Sequence, residues 1–138
     1  DLAFEMAFIR HMGWMGNQCQ PYPYVIDCDK ELMERIAQED MVRGITIAAG
    51  GFYGPQGRVL RLPLADPQQN EKIESFRHGN LCITNFEMES SALAGLAKLL
   101  GHKATTVCMV IANRYAKEMN TSYKNTIETL IQKVLDRI

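Results

Sequence analysis

The stretch GITIAAGGFYGPQGR, residues 44–58, decides the fold because an apolar run passes directly into a polar loop. Residues 45–47 are all β-branched, and such a run is typical of a buried strand. Two glycines, Gly50 and Gly51, follow the run and allow the backbone to approach a ligand closely. Since loops at strand ends often carry binding residues, the stretch predicts a strand that opens into a ligand-binding loop.

The loop offers three side chains suited to a planar heterocycle. Gln56 provides one hydrogen-bond acceptor and two donors, and Arg58 provides a rigid fork of donors. Together they match an edge that presents carbonyl, N–H and carbonyl groups, as uracil does, and Phe52 can stack on such a ring. The same residues also fit an ordinary loop, in which Gln56 and Arg58 are solvated and Phe52 lies in the core. The short motif leaves both interpretations open.

Composition narrows the class of protein. The chain has 138 residues, a formal net charge of −1 and 46% hydrophobic residues, which fits one soluble domain with a buried core. The balanced charge gives no basis for binding nucleic acid or an anionic membrane, and no apolar run reaches the ~20 residues of a membrane span. Four cysteines without metal-ligand spacing predict no metal site, no disulfides and a reducing, cytoplasmic location, with Cys82 and Cys108 buried.

The first forty residues predict a strand and a helix. In residues 1–15 the apolar spacing fits neither a helix nor a strand cleanly, although the alternation at its start favours a strand. The two prolines within residues 21–24 predict an extended segment. An apolar stripe at helical spacing then predicts a helix over about 30–41, capped by Asp27 or Asp29.

After the opening strand and loop, helices and strands continue to alternate. The polar residues 65–80 predict a short amphipathic helix that is either a lid or an ordinary surface helix. Residues 81–84 predict a strand, and the helix after it is expected to end at Gly101. The run 104–112, ATTVCMVIA, predicts a central parallel strand, and the apolar spacing after residue 120 predicts a final helix.

Polar residues recur where the predicted strands end. Glu87 and Glu89 lie at the joint between a strand and a helix, where a carboxylate can bind the two hydroxyls of a sugar. Acidic residues at a helix start also interact favourably with the helix dipole, so this simpler role stays open. Asn113 and Arg114 follow the run 104–112, and Arg114 is either a binding residue or a surface cap. The alternation predicts an α/β sandwich with a mainly parallel sheet whose strand ends bring these groups together.

Two segments of the chain resemble a known family. GGFYGPQGR (50–58) and NFEMESSALAGLAKLLGHKATTVCMVIANR (85–114) are similar to the carboxyl-terminal half of the nucleoside phosphorylase family. The likeness follows the order of elements over roughly residues 22–138, and the FYxxQxR loop and the closing Asn-Arg pair resemble its uridine branch. The resemblance implies a three-layer αβα sandwich with a central mixed, mainly parallel sheet, of which residues 1–138 form a partial domain.

The resemblance implies that five residues surround the base of the substrate. Phe52 is expected to stack near the base and the sugar, while Gln56 and Arg58 hydrogen-bond the uracil edge. Ile111 is expected to line the base pocket. Arg114 is expected near a uracil carbonyl, either in direct contact or through water.

Three further residues are implied at the ribose. Met88 and Glu89 are expected to hold the sugar, with Glu89 on its hydroxyls, and Glu87 is expected to contribute to substrate binding by shaping that loop. Purine members of the family usually carry an aspartate at the position of Asn113, where it protonates the base, so the asparagine favours a pyrimidine. Among all these residues, Gln56, Arg58 and Glu89 are expected to take part in catalysis.

The implied reaction is phosphorolysis of uridine to uracil and ribose 1-phosphate, a pentosyl transfer of nucleoside salvage and catabolism. Inorganic phosphate is the co-substrate, and no metal or organic cofactor is expected. The family also implies a homo-oligomer, either a dimer or a hexamer, without a nucleic acid or membrane partner. The alternatives are a purine nucleoside phosphorylase, a nucleosidase that uses water, and a non-catalytic nucleoside-binding protein on the same scaffold.

The phosphate site of the family lies mostly in its amino-terminal half, as a glycine-rich turn and several arginines. This chain shows neither and begins at Asp1, so we expect it to be the carboxyl-terminal part of a longer protein and to be inactive alone. Residues 1–20 are expected to fit the family poorly, and the GNQC segment (16–19) supplies no site residue. A partial sheet is expected to leave open edges and exposed apolar surface.

Overall fold

The computed structural model describes residues 1–16 and 22–138. Contacts divide the chain into two units, Asp1–Ile26 with Gly44–Ala92, and Asp27–Arg43 with Leu93–Ile138. The expectations for Cys19, for most of the GNQC segment and for the first proline of residues 21–24 lie outside the described residues. The helices and strands are α1 (Leu2–Met12), α2 (Lys30–Ile36), β1 (Ile45–Ala48), a 3₁₀ turn (Gly54–Gln56), α3 (Gln69–Ser75), β2 (Arg77–His78), β3 (Leu81–Glu87), α4 (Ser90–Leu99), β4 (Ala112–Asn113), β5 (Glu118–Met119) and α5 (Tyr123–Leu135).

The first element is a helix, so the strand predicted for residues 1–15 is wrong. The side chain of Asp1 caps α1 by accepting hydrogen bonds from two backbone N–H groups of the first turn, at 2.9 and 3.3 Å. Phe4, Phe8 and Met12 recur every four residues and are all buried. This helical stripe, together with the cap, outweighs the local alternation of apolar side chains.

The core of the first unit is largely aromatic. Phe76 is 2% exposed, and its ring lies edge-on to those of Phe4, Phe8 and His11, with centroid distances of 5.3, 5.1 and 5.3 Å. Edge-on contacts of this kind add to the free energy of burying the rings. His11 also hydrogen-bonds the carbonyl oxygen of Lys72 through its Nε2, at 2.7 Å. Aromatic packing thus joins α1 to the end of α3.

The first unit contains a mixed sheet in the order β1-β3-β2. Strand β1 pairs with β3 in parallel, and β2 pairs with β3 antiparallel. The predicted strands at residues 45–47 and 81–84 are confirmed, although β3 continues to Glu87. Helix α3 lies within the polar residues 65–80, as predicted. The mixed α/β class expected from the sequence is therefore what the structure has.

In the second unit, two predicted helices are present. Helix α2 begins after Asp29, whose Oδ1 accepts the backbone N–H of Leu32 at 2.9 Å. It ends at Ile36 and is therefore shorter than the helix predicted over residues 30–41. Helix α5, predicted to begin after residue 120, starts at Tyr123.

An ionic cluster links the region after α2 to the end of α5. Asp40 accepts two hydrogen bonds from the Arg137 guanidinium, both at 2.9 Å, and a third from Lys133 Nζ at 2.8 Å. Arg137 Nη1 also donates to the carbonyl oxygen of Ile36 at 2.8 Å. The two cations beside Asp40 hold the pKa of its carboxyl far below its usual range, with the hydrogen bond from Arg137 as the largest cause.

The central strand predicted over residues 104–112 is wrong. Among the described residues of this run, only Ala112 pairs with another strand, as the first residue of β4, which pairs with β5. A strand exists only where a neighbour pairs its backbone N–H and C=O groups, and apolar composition does not supply that neighbour. Cys108, expected to be buried in this strand, is exposed for the same reason.

Apolar surface is exposed, as expected for a partial sheet. Helix α4 buries Ala94 and Ala97, while Leu93 and Leu96 are 54% and 59% exposed. Strand β1 pairs on one side only, within the described part of the chain. These features fit a fold whose sheet and layers continue in further polypeptide.

Candidate functional site

Strands β1 and β3 end side by side. In the parallel ladder Ala48 is the partner of Glu87, and the backbone N–H of Ala49 donates to the carbonyl oxygen of Glu87 at 2.8 Å. Because the strands run in the same direction, the segments that follow both of them start from one edge of the sheet. Ligand sites in α/β proteins commonly form at such an edge. The loop 50–58 and the segment Met88-Glu89 are therefore anchored next to each other.

The loop after β1 closes on itself through a 3₁₀ turn. The carbonyl oxygen of Tyr53 accepts the backbone N–H groups of Gln56 at 3.0 Å and Arg58 at 2.9 Å. Gly57 has φ 74°, a left-handed conformation in which a side chain is strained. Pro55 supplies a fixed φ at the start of the turn. The backbone direction at Arg58 is thus set locally by the Gly-Pro-Gln-Gly sequence.

Phe52, Gln56 and Arg58 are brought together, as the sequence predicted. Arg58 Nη1 donates to Gln56 Oε1 at 2.8 Å and to the carbonyl oxygen of Phe52. The guanidinium carbon lies 3.6 Å from the centroid of the Phe52 ring, which is a cation–π contact. Gln56 is 3% exposed and Phe52 is 50% exposed. The simpler interpretation, in which Gln56 and Arg58 are solvated and Phe52 is core, does not describe this loop.

Helix α3 supports the loop through side-chain hydrogen bonds, a role that the sequence did not reveal. Gln69 Nε2 donates to the carbonyl oxygens of Pro55 at 3.0 Å and Gly54 at 3.4 Å. Just before the helix, Asp66 pairs with Lys72 Nζ at 2.7 Å, and this hydrogen bond lowers the pKa of the Asp66 carboxyl. The polar run Gln-Gln-Asn at the start of α3 was the available signal, but its contact with the loop depends on the tertiary fold.

Glu87 caps helix α4. Its Oε2 accepts the backbone N–H groups of Glu89 at 2.8 Å and Ser90 at 2.6 Å, and its Oε1 accepts the Ser90 hydroxyl at 2.6 Å. Both carboxylate oxygens are thus engaged within the chain, at the positive end of the helix dipole. Of the two open interpretations for this residue, the helix-start role is the one that the geometry displays. The capping also fixes the path of the backbone through Glu89.

Met88 and Glu89 lie between the end of β3 and the start of α4. Both side chains are exposed. Within the described part of the chain, no ion pair or side-chain hydrogen bond engages the Glu89 carboxylate. Two exposed carboxylate oxygens can accept hydrogen bonds from a pair of neighbouring hydroxyls.

The third predicted cluster belongs to the second unit. Asn113 lies in β4, and its side-chain oxygen accepts the backbone N–H groups of Tyr115 at 3.1 Å and Ala116 at 3.0 Å. Ile111 is 38% exposed, and Arg114 is half-buried. The asparagine thus shapes the turn that carries Arg114. The meeting of this cluster with the other two around one ligand stays a prediction.

Among the described residues, no helix combines the length and the apolarity needed to cross a membrane. No three or more His, Cys, Asp or Glu side chains among them are arranged to hold a metal ion.

Sequence comparison finds relatives over most of the chain. A "Uridine phosphorylase" of Thermococcus kodakarensis is 36% identical over 123 residues, which cover 86% of this chain and 44% of that protein. A protein of Schistosoma mansoni named "Inactive uridine phosphorylase B" is 34% identical over 99 residues, which cover 67% of this chain and 32% of that protein. The chain thus spans less than half the length of these relatives.

Structural comparison agrees. A crystal structure described as Trypanosoma brucei nucleoside phosphorylase showing uridine phosphorylase activity superposes with a TM-score of 0.79 at 26% identity, covering 97% of this chain and 48% of that chain. The model of the phosphorylase superfamily matches residues 6–138, so the expectation that residues 1–20 fit the family poorly is wrong from residue 6 onward. With its fold and its sequence both matched, the chain belongs to the phosphorylase superfamily.

Proposed function

We propose that the chain is the carboxyl-terminal part of an enzyme that converts uridine and phosphate to uracil and ribose 1-phosphate in nucleoside salvage and catabolism. The observation that carries the proposal is the Phe52, Gln56 and Arg58 cluster, anchored at the same sheet edge as Glu89. Membership of the phosphorylase superfamily supports the reaction class. The names of the relatives support uridine as the substrate.

At the base, Arg58 and Gln56 bind the uracil edge. As the glycosidic bond breaks, negative charge grows on the departing base, and preorganised donors stabilise such charge more in the transition state than in the ground state. The Arg58 guanidinium is already held by Gln56 Oε1 and by the Phe52 ring, so little reorganisation is needed when the base arrives. Its remaining N–H donors face the carbonyl groups of the base. Ile111 and Arg114 are further proposed to contribute to binding of the base, as the family resemblance implies.

At the sugar, Glu89 accepts hydrogen bonds from the ribose hydroxyls and Met88 packs against the ring. Positive charge builds on the ribose in the transition state, and a nearby carboxylate stabilises it. Phosphate attacks the anomeric carbon, forming the new C–O bond while the bond to the base nitrogen breaks. The Glu87 cap holds the Glu89 backbone in place for this step.

We further propose that the phosphate-binding groups belong to the part of the fold outside these 138 residues. The coverage of 48% of the related crystal structure supports this, since half of that fold has no counterpart here. The reaction then needs phosphate as co-substrate and neither a metal nor an organic cofactor. In line with the family resemblance, the enzyme is proposed to be a cytoplasmic homo-oligomer, a dimer or a hexamer, with shared active sites.

The second candidate is a non-catalytic nucleoside-binding protein. The observation that favours it is the 34% identity to a relative whose name describes it as inactive. Phe52, Gln56, Arg58 and Glu89 are all present in this chain, which favours the enzyme. A purine phosphorylase and a water-using nucleosidase are the remaining alternatives.

The test is an assay of base release by the full-length protein, with and without phosphate. We expect phosphate-dependent release of uracil from uridine and far slower release of hypoxanthine from inosine or adenine from adenosine. Release of uracil without phosphate would identify a nucleosidase. Preferential purine release would identify a purine phosphorylase, and uridine binding without turnover would identify the binding protein. The 138-residue chain alone is expected to show no turnover in the same assay, and measurable turnover would overturn the proposal that its phosphate site lies elsewhere.

A further inference from the structure

The start of helix α3 is tied to the substrate loop by a side chain that the proposed reaction does not use. Gln69 donates both of its loop contacts through one amide nitrogen, to the carbonyl oxygens of Pro55 and Gly54. These carbonyl groups belong to the 3₁₀ turn that precedes Arg58. Since the donors and acceptors are separated by 14 and 15 positions, the tie is tertiary and not part of the turn itself.

The same turn of α3 also packs against the loop. A Cβ atom added at Gly57 would lie 2.3 to 2.5 Å from the side-chain atoms of Asn70. The Oδ1 atom of Asn70 is buried and has no hydrogen-bond partner among the described residues. Burying an amide oxygen without a partner is unfavourable, so the packing between Asn70 and Gly57 is kept at a cost in stability. The loop is therefore held on α3 by the hydrogen bonds from Gln69 and by the close packing of Gly57 against Asn70.

The contact between Gln69 and the turn affects Arg58, the candidate catalytic residue, through the backbone. Gly54 O, the weaker acceptor for Gln69, also accepts the backbone N–H of Gly57 at 2.8 Å, and Tyr53 O accepts that of Arg58 at 2.9 Å. Movement of the turn would carry Arg58 with it. The Arg58 guanidinium is held inside the same loop by Gln56, which belongs to the turn, and by the Phe52 ring, so its direction would change with the turn.

We propose that Gln69 is a positioning residue, which holds the loop 53–58 on α3 and thereby aims the Arg58 guanidinium at the base of the nucleoside. This inference rests on the proposed function for the role of Arg58, while the contact between Gln69 and the loop does not. Helix α3 is then neither a lid nor an ordinary surface helix. It is the support of the base-binding loop.

The kinetic test uses the full-length protein and uridine. We expect Gln69→Ala to lower kcat/KM about ten-fold, because one hydrogen bond of ordinary strength aims the catalytic group. Gln68→Ala is the matched control, since Gln68 is the same residue type one position earlier, is exposed and, within the described residues, makes no side-chain hydrogen bond to the loop. Equal kinetics for the two variants would overturn the proposal.

A double-mutant cycle separates positioning from general destabilisation. If Gln69 acts through Arg58, adding Gln69→Ala to Arg58→Ala lowers kcat/KM no further. An equal loss in both backgrounds would show that Gln69 affects activity by another route and would overturn the positioning role.

A measurement without substrate keeps this inference distinct from the proposed function. Hydrogen exchange should be faster at the amides of Gln56, Gly57 and Arg58 in Gln69→Ala than in the wild type, and unchanged in Gln68→Ala. If wild-type protein releases no uracil from uridine, the proposed function fails, and exchange alone then decides whether Gln69 holds the loop. Unchanged exchange in Gln69→Ala would overturn the inference whatever the substrate.

Discussion

The backbone N–H of Ala49 donates to the carbonyl oxygen of Glu87 at 2.8 Å, at the point where strands β1 and β3 both end. This bond joins the start of the proposed base-binding loop to the start of the proposed ribose-binding segment. A parallel pair of strands is the feature that makes such a junction possible, since antiparallel neighbours end at opposite edges. Groups that follow β1 and β3 can thus act on one substrate although they are far apart in sequence.

The first prediction concerns the Arg58 guanidinium. In the full-length protein, Arg58→Ala should lower kcat/KM for uridine by about 10²–10³. This is the usual effect of removing one preorganised hydrogen-bond donor that stabilises charge in the transition state. Arg58→Lys should also lower kcat/KM, because an ammonium group cannot reproduce the planar fork of donors of the guanidinium. Arg61→Ala is the control, since Arg61 is exposed and donates no side-chain hydrogen bond within the described residues. Steady-state kinetics that are the same for Arg58→Ala and Arg61→Ala would remove Arg58 from its role.

The second prediction separates two neighbouring carboxylates. Glu89→Ala should lower kcat/KM for uridine by roughly 10²-fold with little change in stability, because its exposed carboxylate is proposed to bind substrate. Glu87→Ala should instead lower the free energy of unfolding by about 1–2 kcal/mol, since it removes the cap of α4. Urea denaturation and kinetics on both variants check this. A Glu89→Ala variant that is destabilised but fully active would show that the two roles have been assigned the wrong way round.

The conformation of the loop 50–58 could be predicted from sequence because its determinants are local. Gly57 and Pro55 set the 3₁₀ turn, and Arg58 and Gln56 are two residues apart, so their contact needs no tertiary information. The role of Glu87 at the start of the helix was likewise one of the two interpretations that the sequence supported. The tie from Gln69 was missed because it joins residues brought together only by the packing of α3.

The two wrong strand predictions share one physical cause. Residues 1–15 carry two patterns, an alternation of apolar side chains and a spacing of four in Phe4, Phe8 and Met12. The segment is a helix because this form buries the second pattern against Phe76. In residues 104–112 the composition was right for a strand, but pairing depends on a neighbouring strand that local sequence does not encode. Tertiary context decided both segments.

The third prediction concerns the aromatic core. Phe76→Leu should lower the free energy of unfolding by about 1–2 kcal/mol, because it removes three edge-on ring contacts and leaves a small void. Urea denaturation of the full-length protein measures the change, with the exposed Phe52→Leu as control. A loss no larger than that of the control would contradict the assignment of Phe76 to the centre of the core.

The last prediction concerns Asp40 and pH. Arg137 and Lys133 keep the pKa of the Asp40 carboxyl lower in the folded chain than in the unfolded chain, so folding favours its charged form. The resulting stabilisation is complete above the unfolded-state pKa of about 4 and is lost as the pH falls toward the folded-state pKa. Asp40→Asn should therefore unfold at lower urea concentration than the wild type near pH 7, and the gap should narrow below about pH 4.

Two controls sharpen this test. Glu39→Gln removes a neighbouring acidic charge that makes no ion pair within the described residues, and it should leave the unfolding midpoint nearly unchanged near neutral pH. Added salt should shrink the gap between the wild type and Asp40→Asn, because the cluster is partly exposed and its charges are screened. A gap that is the same at all pH values would mean that Asp40 acts through packing and not through its charge.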